Sequence, residues 1–367
     1  MTIRIATFNA ENLFRRPRVF ALEDSSERRK TLEDFAILVS LLDHETYTAE
    51  DKEKIVEILR KYDVPNSQSK TRLILVNETR GGAKLFRIKR GGAIEIIAKG
   101  RSHWVGWAEM VRDDLNWEAV QNTALVIAEV DADVLLTVEV EDRLALHRFN
   151  EQVLGDLMGA KRYPFNMLID GNDSRGIDLG LFSRHPIASV RSHIFDTESG
   201  LPVFSRDCPE FEVELTGGKP LWILGNHFKS KGFGRPAVSA NRRKAQAKRV
   251  KEIYRTALER SASVVVAGDL NDTPDSEPLG FLLGAGLRDA MDHSSYTGAP
   301  GTYGTGNSLR QKLDYLMFSP DLWKQVEAVD VERRGIWAPN TFKSFETVTS
   351  KANQASDHAA LYADLDV

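Results

Sequence analysis

The run Val264-Val265-Val266-Ala267-Gly268 passes directly into Asp269-Leu270-Asn271-Asp272. Three β-branched residues in a row, ended by a Gly, read as a buried strand that stops at a sheet edge. Asp269 and Asn271 lie two positions apart, so in an extended chain they point the same way. A carboxylate that can move a proton then stands beside an amide that can hold an oxyanion, a pairing suited to hydrolysis. An Asp after a strand is also a common turn residue, so one such end decides little. The decisive point is that similar ends recur along the chain.

Apolar runs with strand character fall at 2–8, 133–138, 178–183, 187–194, 210–215, 221–226, 263–268 and 312–318. Helical patterns lie at 116–130, 142–154 and 237–259, the last with Ser239 as its expected N-cap. Strands outnumber helices, and several neighbour each other without room for a crossover, so mixed sheets are expected rather than a purely parallel one. No internal repeat, low-complexity segment or Pro-rich linker divides the 367 residues, and one domain is expected over 1–367. Residues 20–115 break the pattern and read as an insertion. They hold two charged helical segments, 27–42 and 48–61, and two apolar-rich runs joined by Gly91-Gly92, a hairpin signal. Trp104, Trp107 and Trp117 follow, and packing is the expected role for all three.

Composition narrows the class. No apolar stretch approaches the roughly 20 residues needed to span a bilayer, and no apolar signal core precedes the first strand, so a cytoplasmic location is expected. The single cysteine, Cys208, excludes an internal disulfide and a cysteine-built metal site. A net charge of -4 does not announce a nucleic-acid binder, so positive surface must be local.

The ends of the apolar runs collect a small set of residue types. They are Thr7-Phe8-Asn9-Ala10-Glu11-Asn12, Glu139, Asn226-His227, Gly268-Asp269-Leu270-Asn271, Leu313-Asp314-Tyr315 and Ser356-Asp357-His358. In type and order this set resembles the endonuclease/exonuclease/phosphatase superfamily, the deoxyribonuclease I-like phosphoesterases. It covers almost the whole chain except the insertion. The resemblance implies an α/β fold, a four-layer α/β/β/α sandwich of two mixed sheets with the site at one end.

The resemblance also implies roles. Glu139, Asn9 and Asp357 would form the metal shell, joined by Glu11, and such hard oxygen donors suit Mg²⁺ or Mn²⁺. Asp269 would take the proton of an attacking water, with Asn271 holding that water and the developing charge. His358 would neutralise phosphate oxygens, with Asp314 bonded to its far nitrogen. His227 would contact phosphate or protonate the leaving oxygen. Independently of the family, Asp314 inside an apolar run needs a cation, because a buried lone carboxylate is unfavourable by several kcal/mol.

For substrate, Asn226-His227-Phe228-Lys229-Ser230-Lys231 resembles a segment of bacterial nucleases in this superfamily. It implies Asn226, Lys229 and Lys231 as substrate contacts, with Arg175 and Tyr303 beside them. Asp178, just after Arg175, is expected to orient His227. Arg242, Arg243, Lys244, Lys248, Arg249 and Lys251 crowd one helix, and Lys84, Arg87, Lys89, Arg90, Lys99 and Arg101 the hairpin region. Such patches suit a nucleic acid, so DNA is the expected substrate, with no membrane and no obligate protein partner. Two alternatives stand beside it. One is hydrolysis of lipid headgroups or small phosphorylated metabolites, and the other is a non-catalytic nucleic-acid-binding scaffold.

Overall fold

The chain is described by a computed structural model covering residues 2–22, 24–66, 68–69, 71–78, 81–173, 175–232 and 235–367. Two compact units are present, one of residues 1–15, 115–231 and 236–367, the other of 16–114 and 232–235.

The first unit is built on two six-stranded mixed sheets. One runs Val326–Glu332, Ala360–Asp366, Thr2–Asn9, Val134–Val140, Asp178–Ser183, Phe165–Leu168. The other runs Ile187–Arg191, Glu210–Leu215, Lys219–His227, Val264–Asp269, Asp314–Phe318, Arg288–Asp289. Each sheet contains one parallel pair among antiparallel ones: Thr2–Asn9 with Val134–Val140, and Lys219–His227 with Val264–Asp269. Their facing sides share one core, in which Ile5, Leu136 and Leu181 of the first sheet meet Phe211, Ile223, Val265 and Leu316 of the second.

The outer faces are covered by helices. Val120, Ala124 and Ile127 of helix Trp117–Val130 pack on Ala6, Phe8, Leu135 and Phe182. Ala247, Val250, Ile253 and Tyr254 of helix Pro236–Leu258 pack on Trp222, Leu224, Val264 and Val266. The alternation of the strand residues thus feeds three cores, one between the sheets and one under each helical layer, and the four layers are α/β/β/α.

Three local expectations change. The long helix begins at Pro236, so Ser239 is a buried residue inside it rather than its cap. Proline's fixed φ suits the first helical position, which puts the start four residues upstream of where a Ser239 cap would put it. The segment read as one helix is an α-helix over Arg143–Arg148 that widens into a π-helix over Phe149–Leu157. Of the three tryptophans only Trp104 packs, donating to the Tyr47 hydroxyl at 2.8 Å, whereas Trp107 is 59% and Trp117 52% exposed.

The second unit has its own core of Val19, Leu32, Phe35, Leu38, Ile55, Ile58, Leu59, Ile74 and Leu85. Helix Ser25–Leu42 is capped by Asp24, and helix Ala49–Lys61 opens with a reciprocal Thr48–Asp51 capping box. Phe86–Ile88 and Ile94–Ile96 form the hairpin that Gly91-Gly92 announced, and a second pair joins Ile74–Glu78 to Gly106–Met110. Among the described residues, no helix is long and apolar enough to cross a membrane.

Candidate active site

Sheet register gathers the polar strand ends. His227 pairs with Asp269 in the parallel ladder, and Asp269 with Asp314 in the antiparallel one, so the three stand in a row across adjacent strands. In the other sheet Asn9 pairs with Val138, next to Glu139. His227 bridges the two sheets, with Nε2 3.6 Å from Glu139 Oε1 and 3.7 Å from Asp269 Oδ2.

Asp269 is the centre of the hydrogen bonding. Its Oδ2 accepts from Asn271 Nδ2 at 3.0 Å and from Asn9 Nδ2 at 3.3 Å, and its Oδ1 from the Asn271 backbone at 2.8 Å. His358 Nδ1 meets Asp314 Oδ2 at 2.8 Å, while Nε2 lies 4.0 Å from Asp269 Oδ2 and 3.8 Å from Asp357 Oδ1. Thr302 donates its hydroxyl to Asp314 at 2.7 Å, and Ser356 ties Asn9 O to the His358 amide.

Burial and charge set the protonation states. Burial pushes the Asp269 carboxyl up to about 7; the nearby His358 opposes that rise and Asp314 reinforces it. Burial would lower His358, but the Asp314 carboxylate outweighs it and holds the imidazole well above the usual histidine value. His227 is driven the other way, by burial and then by Arg206 and Arg175, well below that value. One histidine is therefore cationic and the other neutral near pH 7, about 4 Å on either side of one carboxylate.

The backbone is strained here. Seven described residues other than Gly have positive φ, and four belong to this site: Glu11 at 48°, Asn12 at 70°, Glu139 at 63° and Asn271 at 49°. Each costs about 1–2 kcal/mol, so such positions persist only where neighbours enforce them. The Glu141 carboxylate accepts from the amides of Leu13, Phe14 and Arg15 at 3.1, 2.6 and 2.6 Å, and Asn12 N donates to Glu139 O at 2.8 Å.

The remaining expected residues are placed unevenly. Tyr303, 38% exposed, sets its ring edge-on to His358 at 4.9 Å. Asn226 is fully buried, bonded through Nδ2 to Leu224 O. Lys229 is half-buried, and burial together with Arg206 and Arg175 brings its amine down to about 8. Lys231 is held by Asp272 at 2.5 Å, and Arg175 forms a fork with Asp173, so both are engaged within the protein. Asp178 does not orient His227. Its carboxylate accepts from Gly171 N at 2.9 Å, and His227 Nδ1 is buried with no hydrogen-bond partner among the described residues.

Much of the basic surface is also paired. On the long helix Arg243 bonds Asp272, Lys244 bonds Glu277, and Arg249 bonds Asp196 and Glu252. On the hairpin Arg87 and Lys89 share Glu95. The positive patches suggested by the basic residues alone are therefore interrupted by acids.

Among the described residues, Asp269, Asp314 and His358 form a compact acid–histidine cluster with ligand-type atoms within 4.8 Å. The cluster is a poor cation cage, because His358 is cationic and already bonded to Asp314. Glu139 and Asp357 stand outside it. The side chains of Glu139, Asn9 and Asp357 offer hard oxygen donors. That set fits a divalent cation of the Mg²⁺ type.

A sequence profile of the Endonuclease/Exonuclease/phosphatase family matches residues 118–358, about two thirds of the chain. The chain belongs to this family. It is by that membership a phosphoester hydrolase, and the match takes in Glu139, His227, Asp269, Asn271, Asp314 and His358. Solved structures similar to this family member include an endonuclease/exonuclease/phosphatase of Beutenbergia cavernae (18% identity, 67% of this chain and 66% of that one, TM-score 0.47). Others are a family protein of Bacteroides thetaiotaomicron (16% identity, 68% and 90%, TM-score 0.49) and that organism's mannosyl-6-phosphatase Bt3783 (16% identity, 68% and 92%, TM-score 0.49). No curated protein sequence matches significantly.

Asp173, Arg206, Thr302 and Glu141 border these residues and had no sequence signal. Each acts through a contact with a distant segment.

Proposed function

We propose that this chain hydrolyses phosphodiester bonds of DNA by metal-assisted attack of water. The observation that carries the reading is Asp269, a buried carboxylate near half-ionisation at neutral pH, held by two amides between a cationic and a neutral imidazole. A base with a pKa near the working pH balances readiness to accept a proton against driving force.

In this reading Asp269 takes the proton from water, and the Asn271 and Asn9 amides fix the carboxylate. His358, kept charged by Asp314, neutralises non-bridging oxygens of the phosphate, which otherwise repel the nucleophile. Neutral His227 donates a hydrogen bond to the phosphate or its leaving oxygen. Glu139, Asn9 and Asp357, with Glu11 beside them, would hold Mg²⁺ or Mn²⁺. Such an ion supplies charge neutralisation at the phosphate. Lys229 and Tyr303 serve as substrate contacts in this reading.

A second reading, a small phosphorylated metabolite as substrate, is favoured by the paired basic residues, which leave less charge for successive phosphates. Purified protein incubated with plasmid, oligonucleotides and a panel of lipid and sugar phosphates, with Mg²⁺ or with EDTA, separates the two. The DNA reading expects Mg²⁺-dependent nicking that Asp269→Asn abolishes. Cleavage confined to the small esters would replace it with the second, and an undiminished Asp269→Asn rate would end both.

A further inference from the structure

Beside the catalytic row lies a buried charge cluster that the proposed chemistry does not use. Arg206 is 2% exposed, and the Asp173 and Arg175 side chains 10% each. Arg175 grips Asp173 with Nε on Oδ1 at 2.9 Å and Nη2 on Oδ2 at 2.6 Å. Arg206 Nε stands 3.0 Å from the same Oδ2. Two guanidiniums and one carboxylate leave a net positive charge out of water, an arrangement that is costly unless other charges answer it. Acids beyond the cluster that act on Arg206 include Glu139 and Asp269, and Asp178 feels its charge in turn.

The other end of Arg206 reaches the catalytic strands. Its Nη1 donates to Phe228 O at 3.2 Å, and the same carbonyl accepts from Asn271 Nδ2 at 3.2 Å. Phe228 N donates to Asp269 O at 2.9 Å. The Asn271 amide is thus aimed by two acceptors, Asp269 Oδ2 and Phe228 O, and Arg206 holds the second in place. A buried apolar side chain would fill the same space without gripping that carbonyl. Lysine would reach one of Asp173 and Phe228 but lacks the planar fork that serves both.

We propose that Arg206, anchored by Asp173, is a positioning residue for the hydrolysis, acting through the Phe228 carbonyl on Asn271 and on the strand end that carries His227. The inference rests on the reading of Asp269 and Asn271 as reacting groups. It adds a line of contact, Asp173 to Arg206 to Phe228 to Asn271, that has no direct contact with substrate.

The test uses the full chain with Arg206→Gln, Arg206→Lys and Asp173→Asn. With Mg²⁺ and bis(4-nitrophenyl) phosphate, kcat falls about 10- to 100-fold while KM stays within about threefold, since misplacement by an ångström is enough for such a loss. Arg206→Lys, which keeps the charge and one contact, recovers part of that loss. Independently of activity, the side-chain amide NMR signals of Asn271, assigned with Asn271→Asp, shift in the Arg206 variants and exchange faster with solvent. Folded variants with wild-type kcat, or with the Asn271 signals unmoved, would overturn the inference. A wild-type chain inactive on every phosphoester would refute the proposed function alone, and the amide signals would then decide the positioning role by themselves.

Discussion

Asp178 opens the strand next to the edge of the first sheet with 4% of its surface exposed, and its one described hydrogen bond is from Gly171 N at 2.9 Å. Burial pushes its carboxyl up to about 7, with Asp170 and Asp173 adding to the rise and the Gly171 amide and Arg206 opposing it. A carboxyl whose pKa is raised on folding stabilises the protein below its unfolded value, near 4. That contribution is lost as pH climbs through about 7. About three pKa units at 1.36 kcal/mol each set an upper figure of roughly 4 kcal/mol lost between pH 4 and pH 8. Asp178→Asn keeps the acceptor for Gly171 and carries no charge, so it escapes the loss. Urea unfolding of both proteins from pH 4 to pH 9 measures it directly, because groups common to both cancel in the difference. The variant is expected to gain on the wild type between about pH 4 and pH 7 and to keep that gain above it, by about 2–4 kcal/mol overall. Parallel stability curves across that range would refute the assignment of an uncompensated buried carboxyl.

Three further outcomes follow from the same structure. Asp314→Asn removes the charged partner of His358; a charge-assisted hydrogen bond is worth about 1.5–3 kcal/mol, so kcat on a chromogenic phosphodiester drops about 10- to 150-fold, and a loss under threefold would contradict the pairing. Gly268→Ala forces a Cβ to 2.0 Å from Asn226 O at a φ of +122°, so the protein melts far lower or fails to fold, and an unchanged melting temperature would show that this strand end relaxes. Because Arg243, Lys244, Arg249, Arg87 and Lys89 are already paired with acids, DNA affinity should fall with salt at a log–log slope shallower than about −4, and a slope near −8 would restore the long positive track.

The parts of the fold that were legible in sequence are those set by one local pattern. Val264-Val265-Val266 is a strand because β-branched residues crowd a helix and pack well on a pleat. Thr48-Ala49-Glu50-Asp51 is a helix start because both members of its capping box are local. Gly91-Gly92 is a turn because both residues take positive φ, 95° and 85°. Contacts between distant segments were not legible. Glu277 neutralises Lys244 from another helix, and Asp196 neutralises Arg249 from a loop, so the basic stripe looks stronger in the chain than on the surface. Asp178 was expected to orient His227 because motif order places both near the site, yet order says nothing of which amide a carboxylate meets.

The candidate site divides in the same way. The chemical groups, Glu139, His227, Asp269, Asn271, Asp314 and His358, stand at the ends of apolar runs and can be picked out by that position. The devices that aim them cannot. Glu139 and Asn271 sit at φ values of 63° and 49°, where a side chain other than Gly's is disfavoured, and no residue type announces that. The carboxylate of Glu141, two residues beyond Glu139, accepts three successive amides from the turn after Asn9. Those bonds fix the turn from outside, and the turn in turn donates Asn12 N to Glu139 O. Strain at Glu139 is therefore supported by a second acid that touches none of the reacting groups, and the aim of one carboxylate depends on the backbone contacts of another.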